Sequence, residues 1–296
     1  NKSFLQCKLM KKILSTIFIL TFFLQGNFWA LAAGEVFQVD TGGTLNTGLL
    51  AYYKLEDVND FFSTHTLTNF GTTQFNIGKV SNAADFGASN STKYLRSTDD
   101  LGINGGSISM ACWINITTQP GTNVDSALVA QGNATNNVSN FLRYQDSGGT
   151  KILSFARNRV GVTIQQAQIS TTLTTGTWYD IVGTFDSASS TLYLYLNGTL
   201  QSTSTASGFG SGSGITEIEI SGYYNTAGGL YSGLADECGI WSKALSQQEV
   251  TDLYNSGNGQ TMYIPGAAAP TRRRMIIISK LLENHNLVAV LRERII

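Results

Sequence analysis

The feature that most restricts the fold is an alternation of apolar and polar side chains with a period of two, running from residue 41 to residue 257. This is the period of a β-strand with one buried face. In residues 191–196 it separates leucines from tyrosines, and Asn197-Gly198 follows as a two-residue hairpin signal. In residues 108–114 it places Trp113 on the face opposite four apolar side chains, and further strands are predicted at 50–54, 152–157, 178–185, 215–220 and 231–241. Because no helix-period segment separates these strands, we predict an all-β fold, a two-sheet antiparallel sandwich or jelly roll.

One short helix is predicted near the end of this region. Ser246-Gln247-Gln248-Glu249 has the pattern of a capping box, in which the serine and the glutamate each satisfy a backbone amide. Val250, Leu253 and Tyr254 then fall on one face. We therefore expect a C-terminal helix that docks on the last strand.

The N-terminal segment predicts export. Residues 10–32 are typical of a signal peptide, with Lys11 and Lys12, an apolar stretch at 13–24 and a small-residue cleavage site at 30–32. An uncleaved anchor or a buried strand is the alternative. Residues 1–9 are interpreted as an upstream non-native segment, 33–47 as a linker, 48–258 as the domain, and 259–296 as a linker with a basic and apolar tail of no assigned role. We expect a secreted or cell-surface protein whose mature domain does not span a membrane.

Charge and composition exclude several classes of function. The chain has two histidines, His65 and His285, which leaves little material for zinc sites or histidine triads. Residues 34–270 carry 9 Lys and Arg against 18 Asp and Glu. An acidic domain repels the phosphate backbone, so we expect no nucleic-acid partner.

Two cysteines remain after the signal peptide, Cys112 and Cys238. In an oxidising compartment an even pair can form a disulfide. Two buried, reduced thiols that pack as small apolar side chains are the alternative.

Several segments in order resemble a known family. They are 50–56, 78–79 with 83–86, 107–114, 178–186, 194–198, and 233–241 with 244–249. Together they resemble the laminin-G-like (concanavalin A-like lectin/glucanase) jelly roll, particularly its bacterial branch, and more distantly the pentraxins. The resemblance implies a carbohydrate-binding or adhesion module, often calcium-dependent, whose partner is a glycan or a glycosylated surface protein. A pentraxin-like calcium site is not carried over, because residues 221–225 contain no carboxylate.

Catalytic residues are not found. Glucanases that the chain resembles use Glu-x-Asp-x-x-Glu on one strand, and the nearest match, Glu217-Ile218-Glu219, lacks the third acid. These two glutamates share a strand face, so we interpret them as a solvated acidic edge. Asp186 and Asn197 are interpreted as turn residues. We therefore predict that the chain is not an enzyme.

A structural calcium ion is the one cofactor that the composition favours, because oxygen ligands predominate. Glu56, Asp57 and Asp60 cluster after the first predicted strand, and the fold would bring Asp236 near them. Solvated loop acids are the alternative.

Sugar binding requires an aromatic platform beside hydrogen-bonding groups. The predicted contacts are Tyr223, Tyr224, Asn225, Tyr231 and Asn133, because loops on a rigid scaffold carry recognition. Tyr193 and Tyr195 are interpreted as packing inside the sandwich or covering a second layer, and an exposed platform is the alternative. The leading hypothesis is a secreted, noncatalytic carbohydrate-binding or adhesion module. The alternatives are a concanavalin A-like glycoside hydrolase and a structural cell-surface spacer.

Overall fold

A computed structural model describes residues 44–87, 92–103, 105–132, 139–159, 162–206, 217–222 and 230–259, and the backbone of 274–283 and 286–295. The predicted signal peptide and the segment before it lie outside these residues, as do most of the 33–47 linker and part of the 259–296 tail. In the tail, β16 (Arg274–Glu283) and β17 (Asn286–Ile295) pair as an antiparallel two-stranded sheet.

Fifteen strands of the described part form two antiparallel sheets, as the alternation predicted. The eight-stranded sheet has the order β13-β12-β11-β6-β15-β4-β3, with β1 also paired to β15. Its strands are β1 (Leu49–Tyr53), β3 (Gln74–Ile77), β4 (Asn82–Asp85), β6 (Ile108–Ile116), β11 (Trp178–Asp186), β12 (Thr191–Leu196), β13 (Thr199–Thr205) and β15 (Gly233–Trp241).

The seven-stranded sheet has the order β10-β9-β8-β7-β14-β5-β2. Its strands are β2 (Thr68–Phe70), β5 (Tyr94–Ser97), β7 (Asp125–Gly132), β8 (Ser139–Ser147), β9 (Thr150–Arg159), β10 (Val162–Ser170) and β14 (Glu217–Ile220). In both sheets, strands distant in sequence lie side by side, so the face of each sheet collects residues from the whole domain.

The main core fills the space between the sheets. Met110 and Cys112 of β6 face it, as their alternation predicted, and meet Leu153 and Phe155 of β9 in one buried cluster. At Gly183 of β11 a Cβ atom would lie 2.2 Å from the Phe155 ring, so the two sheets touch closely there. Burial of these apolar side chains is the main stabilising contribution to the sandwich.

The predicted helix covers the outer face of the eight-stranded sheet. Helix α1 (Gln247–Tyr254) begins at Ser246, whose side chain accepts from the Glu249 amide in the predicted capping box. Val250 and Leu253 pack into a second buried cluster with Trp241. Within the described residues, the helix found is far too short and polar to cross a bilayer.

A disulfide joins Cys112 of β6 to Cys238 of β15. Both cysteines are 1% exposed. The predicted pairing is therefore confirmed, and the alternative of two reduced thiols is not what the structure contains.

Candidate functional site

Four of the five residues predicted to contact a sugar lie outside the described residues: Tyr223, Tyr224, Asn225 and Asn133. Tyr231 is described and lies in the core, 2% exposed, with its ring packed edge-on against Phe86 and its hydroxyl donating to the Leu234 carbonyl at 3.1 Å. Burial raises the pKa of its phenol well above the ordinary value. Tyr231 lies outside a strand, just before β15, but its buried ring is not available to a ligand.

The four carboxylates predicted to bind calcium, Glu56, Asp57, Asp60 and Asp236, do not form one ligand set. Asp60 is 1% exposed and its Oδ1 accepts from the Tyr52 amide at 2.9 Å, while its Oδ2 accepts from the Thr64 hydroxyl at 3.1 Å. Asp57 is exposed and accepts from the Asn59 amide in its own turn. Among the residues that the structure describes, no three His, Cys, Asp or Glu side chains are placed to hold a metal ion.

Asp236 instead holds the chain segment before β4. It is fully buried, and its Oδ2 accepts from the amides of Lys79 and Val80, each at 2.8 Å. Burial raises the pKa of this carboxyl to about 7, and the negative charge of Glu56 adds to the shift. Because Oδ2 of Asp236 is held by these two amides and Asp60 by its own hydrogen bonds, the predicted donor set does not converge on one ion.

The outer face of the seven-stranded sheet carries a row of side chains, one from each of six adjacent strands. Their neighbours along each strand belong to the core, so these residues point outward. At its centre Phe141, Ala130 and Ala156 form a small apolar cluster apart from the main core. In strand order the row is Gln166, Ala156, Phe141, Ala130, Glu219 and Arg96.

Glu217 and Glu219 lie on this face, but the prediction that they form a solvated acidic edge is wrong. Their strand, β14, lies between β7 and β5 near the middle of the sheet. Glu219 is 3% exposed, and its Oε1 is 3.6 Å from the guanidinium of Arg96. Glu217 is half-buried, and its Oε2 has no hydrogen-bond partner in the described part of the chain.

Beside Glu219 lies a group that we call the aromatic stack, made of Phe70, Tyr94 and Arg96. The two rings are parallel within 7° with centroids 4.6 Å apart. The Arg96 guanidinium carbon is 4.8 Å from the Phe70 centroid and 5.7 Å from that of Tyr94, within the range of cation–π attraction. The stack thus places two aromatic rings next to a cation and a carboxylate, all half-buried or buried.

Two of the predicted contact residues outside the described part of the chain directly follow described residues near the aromatic stack. Tyr223 comes directly after Gly222, where a Cβ atom would lie 3.4 Å from Oε2 of Glu219 and 3.6 Å from Cβ of Tyr94. Asn133 comes directly after Gly132, which pairs with Glu217. Gly222, the last described residue before Tyr223, therefore lies against Tyr94 and Glu219, and Gly132 lies beside Glu217 on the neighbouring strand.

Arg143 on the same face is already held by protein groups. Its Nε donates to Ser154 at 3.0 Å, one terminal nitrogen donates to Asp125 at 2.7 Å, and the other donates to Gln166. Its guanidinium carbon also lies 5.3 Å from the Phe141 centroid. Arg143 therefore stiffens the face and covers its apolar centre.

Tyr193 and Tyr195 lie on the outer face of the eight-stranded sheet. They pack under a second layer, as one of the predicted arrangements had it, and not between the sheets. Tyr195 is part of the cluster under α1, and Tyr193 packs at its margin. Both tyrosines line a cleft of about 580 Å³ between this sheet and the segment that leads from β15 into α1. Asp186 at the end of the cleft accepts from the Ala188 amide, and Asn197 accepts from the Asp180 amide, so both act as the turn residues that the sequence predicted.

Comparison with known families agrees with this architecture. The model of the concanavalin A-like lectin/glucanases superfamily matches residues 89–251, more than half of the chain. The chain belongs to this superfamily. No curated protein matches the chain significantly.

Several solved structures share the fold of this chain. Domain 4 of AbnA, an extracellular GH43 arabinanase from Geobacillus stearothermophilus in complex with arabinotriose, is 18% identical; the match covers 69% of this chain and 97% of that domain with a TM-score of 0.53. The binding domain of botulinum neurotoxin DC in complex with SialylT is 13% identical, over 72% of this chain and 52% of that one, with a TM-score of 0.54. The binding domain of Paraclostridial Mosquitocidal Protein 1 is 15% identical, over 83% and 68%, with a TM-score of 0.56. At these identities the likeness shows the superfamily fold alone.

The sequence did not single out Phe70, Tyr94, Arg96 or the cleft. Strands β2 and β5 are three and four residues long, too short for the alternation to stand out. The site also joins the stack to Glu219, which lies more than a hundred positions later in the chain. The one available signal was Glu219 itself, an acid inside an apolar strand.

Proposed function

We propose that this chain is a noncatalytic carbohydrate-binding or adhesion module of a secreted or cell-surface protein, and that its partner is a glycan or a glycosylated surface protein. The observation that carries the proposal is the aromatic stack beside Glu219. A sugar ring has an apolar face that stacks on aromatic rings and hydroxyls that bond to carboxylate and guanidinium groups. Tyr94 and Arg96, both half-buried, supply the ring and the guanidinium, and the buried Glu219 holds Arg96 in place.

Two similar structures support the ligand class. Domain 4 of AbnA is in complex with arabinotriose, and the botulinum neurotoxin DC domain is in complex with SialylT. Both share the sandwich fold with this chain.

Export is supported by two features. The signal peptide predicted at 10–32 would direct the chain across a membrane, and the buried disulfide is typical of proteins that fold in an oxidising compartment.

The test is a broad glycan array followed by titration of the glycans that bind, in calcium and in chelator, because the resemblance implies calcium dependence. We expect Tyr94→Ala and Arg96→Gln each to weaken binding by about tenfold or more, the loss typical of a central contact. Phe62→Ala is the matched control, because Phe62 is 36% exposed and packs against Phe61 rather than at the stack. If the folded wild-type protein binds no glycan, the proposal fails and a structural spacer is the better description.

The noncatalytic part of the proposal has its own test. Each glycan that binds is incubated with the protein, and reducing ends are assayed. We expect no release. Release that Glu217→Gln or Glu219→Gln abolishes would instead establish a glycoside hydrolase, which uses a pair of carboxyl groups.

A further inference from the structure

The cleft on the eight-stranded sheet lies on the side of the sandwich opposite to the aromatic stack. Its lining comes from the ends of β11 and β12, from the residue before β6, and from the segment that caps α1. The residues that matter here are Ser107, Thr184, Asp186, Tyr193, Tyr195 and Ser246. Its volume of about 580 Å³ falls within the usual range for small-ligand sites.

The hydroxyl of Thr184 indicates that the cleft binds a ligand. Its side chain is fully buried, yet its hydroxyl has no hydrogen-bond partner within the described residues, and it lines the cleft. Ser109 lies directly opposite on β6 and is equally buried. The Ser109 hydroxyl has partners of its own, because it donates to the Lys243 carbonyl at 2.7 Å and accepts from the Leu245 amide at 2.9 Å. Since a buried hydroxyl without a partner is costly, Thr184 is positioned to bond a group that enters the cleft.

An aromatic wall adjoins this hydroxyl. Tyr193 is the cross-strand partner of Thr184, and its ring lies 6.5 Å from that of Tyr195 at an angle of 23°. Tyr195 is 5% exposed and Tyr193 is half-buried, so Tyr193 presents the more accessible ring.

The charges of the cleft favour a neutral ligand rich in hydroxyl groups. The charge of Lys243 is offset by the carboxylate of Glu249, and its ammonium also donates to the Thr44 carbonyl. Asp186 is half-exposed, and hydrogen bonds led by the Ser189 hydroxyl keep the pKa of its carboxyl below the ordinary value. An ionised carboxylate of this kind accepts hydrogen bonds and repels acidic sugars.

We propose that this cleft is a second saccharide site, which takes a short neutral oligosaccharide with the apolar face of a sugar ring on Tyr193 and hydroxyls bonded to Thr184 and Asp186. Its ligand class rests on the proposed function, whereas its place in the fold is independent of the aromatic stack. The module would then hold one glycan on each outer face.

The experiment titrates the full chain with four neutral trisaccharides, arabinotriose, xylotriose, maltotriose and cellotriose, by calorimetry and by NMR shift mapping. Thr184→Val removes the hydroxyl at constant shape, and Tyr193→Ala removes the exposed ring. The controls are Thr163→Val, the same change at an exposed position of β10, and Tyr94→Ala at the other site. We expect about tenfold weaker binding for Tyr193→Ala, a severalfold loss for Thr184→Val, and no change for Thr163→Val.

The outcomes separate the two proposals. Loss in the cleft variants with binding retained in Tyr94→Ala supports the second site. Binding that survives both cleft variants and disappears in Tyr94→Ala overturns the second site and leaves the proposed function standing. If the folded wild-type protein binds no trisaccharide and no glycan on the array, both proposals are overturned.

Discussion

At the scale of single residues, Asp180 shows how burial changes a side chain's chemistry. It lies on β11, is 2% exposed, and is the cross-strand partner of Trp113. Its Oδ2 has no hydrogen-bond partner among the described residues. Burial without a partner disfavours the charged form and raises the pKa of this carboxyl to about 8. The alternation in the sequence indicates that Asp180 shares a face with Val182 and Thr184, but not that this face is covered.

This carboxyl should make stability depend on pH. In the native state Asp180 keeps its proton up to a higher pH than it does in the unfolded chain. The contribution of Asp180 to the unfolding free energy is therefore greatest below about pH 4. It falls as the pH rises towards 8, by up to about 1.4 kcal/mol per pH unit. We expect Asp180→Asn, which cannot ionise, to flatten this slope and to be the more stable protein at pH 8.5. Urea unfolding at several pH values from 5 to 8.5 measures the slope. The control is Asp252→Asn, at a partly exposed position of α1 where the carboxylate accepts from the Gln248 side chain. Parallel pH profiles for wild type and Asp180→Asn would contradict the assignment.

At the scale of elements, the strands predicted from the sequence are ones in which apolar side chains on one face alternate with polar or aromatic side chains on the other. The prediction for β12 has the observed bounds, and those for β6 and β11 differ at the ends by one or two residues. Strands β7, β8 and β10 were missed. Two of them contain a register shift, β7 between Ala127 and Val129 and β10 between Val162 and Gln165. An extra residue in a strand reverses the inside and outside positions beyond it, so no single alternation spans either strand.

The local pattern of the sequence does not show which strands are neighbours in the sheet. For the same reason it did not predict the group of Phe70, Tyr94, Arg96 and Glu219. Glu219 could be assigned to a strand, but its neighbours Arg96 and Ala130 belong to distant parts of the chain. Long-range pairing of this kind decides whether an acid lies at an edge or in the middle of a sheet. The fold class was therefore predictable from the sequence, while the aromatic stack and the cleft were not.

The contact between the two sheets at β11 and β9 gives a prediction about these elements. We expect Gly183→Ala to destabilise the protein by about 1–3 kcal/mol or more, because the added methyl group would overlap the Phe155 ring in a closely packed core. Denaturant unfolding measures the change. Gly106→Ala is the matched control, since a Cβ atom there meets nothing within 4 Å, and its effect should lie within about 0.5 kcal/mol. Equal stability of the two variants would show that the sheets can separate without cost.

At the scale of the whole molecule, the disulfide joins two strands that are 126 residues apart in sequence. Strands β6 and β15 are also neighbours in the middle of the eight-stranded sheet. The bond therefore restricts most of the domain in the unfolded state, while in the folded state it reinforces a pairing that already exists.

We expect the double variant Cys112→Ala, Cys238→Ala to lose about 4–5 kcal/mol of unfolding free energy, from the chain-entropy treatment of a loop longer than a hundred residues. Guanidinium unfolding with and without reductant measures this. Reductant should lower the midpoint of the wild type and leave that of the double variant unchanged. A wild-type midpoint insensitive to reductant under unfolding conditions would contradict it.

The first and last strands of the sandwich are adjacent, since β1 pairs with β15 and Leu49 is the partner of Trp241. The indole of Trp241 donates to the Leu45 carbonyl at 2.6 Å, and Lys243 donates to that of Thr44 at 2.6 Å. The N-terminal strand is thus held against the last strand of the sandwich. After that strand the chain continues through α1, and Gly259 lies beside Lys79 and Val80, whose amides bond Asp236 near the other end of β15. A host protein that received residues 44–259 in a surface turn would therefore need a linker long enough to span the stretch of β15 from Asp236 to Trp241.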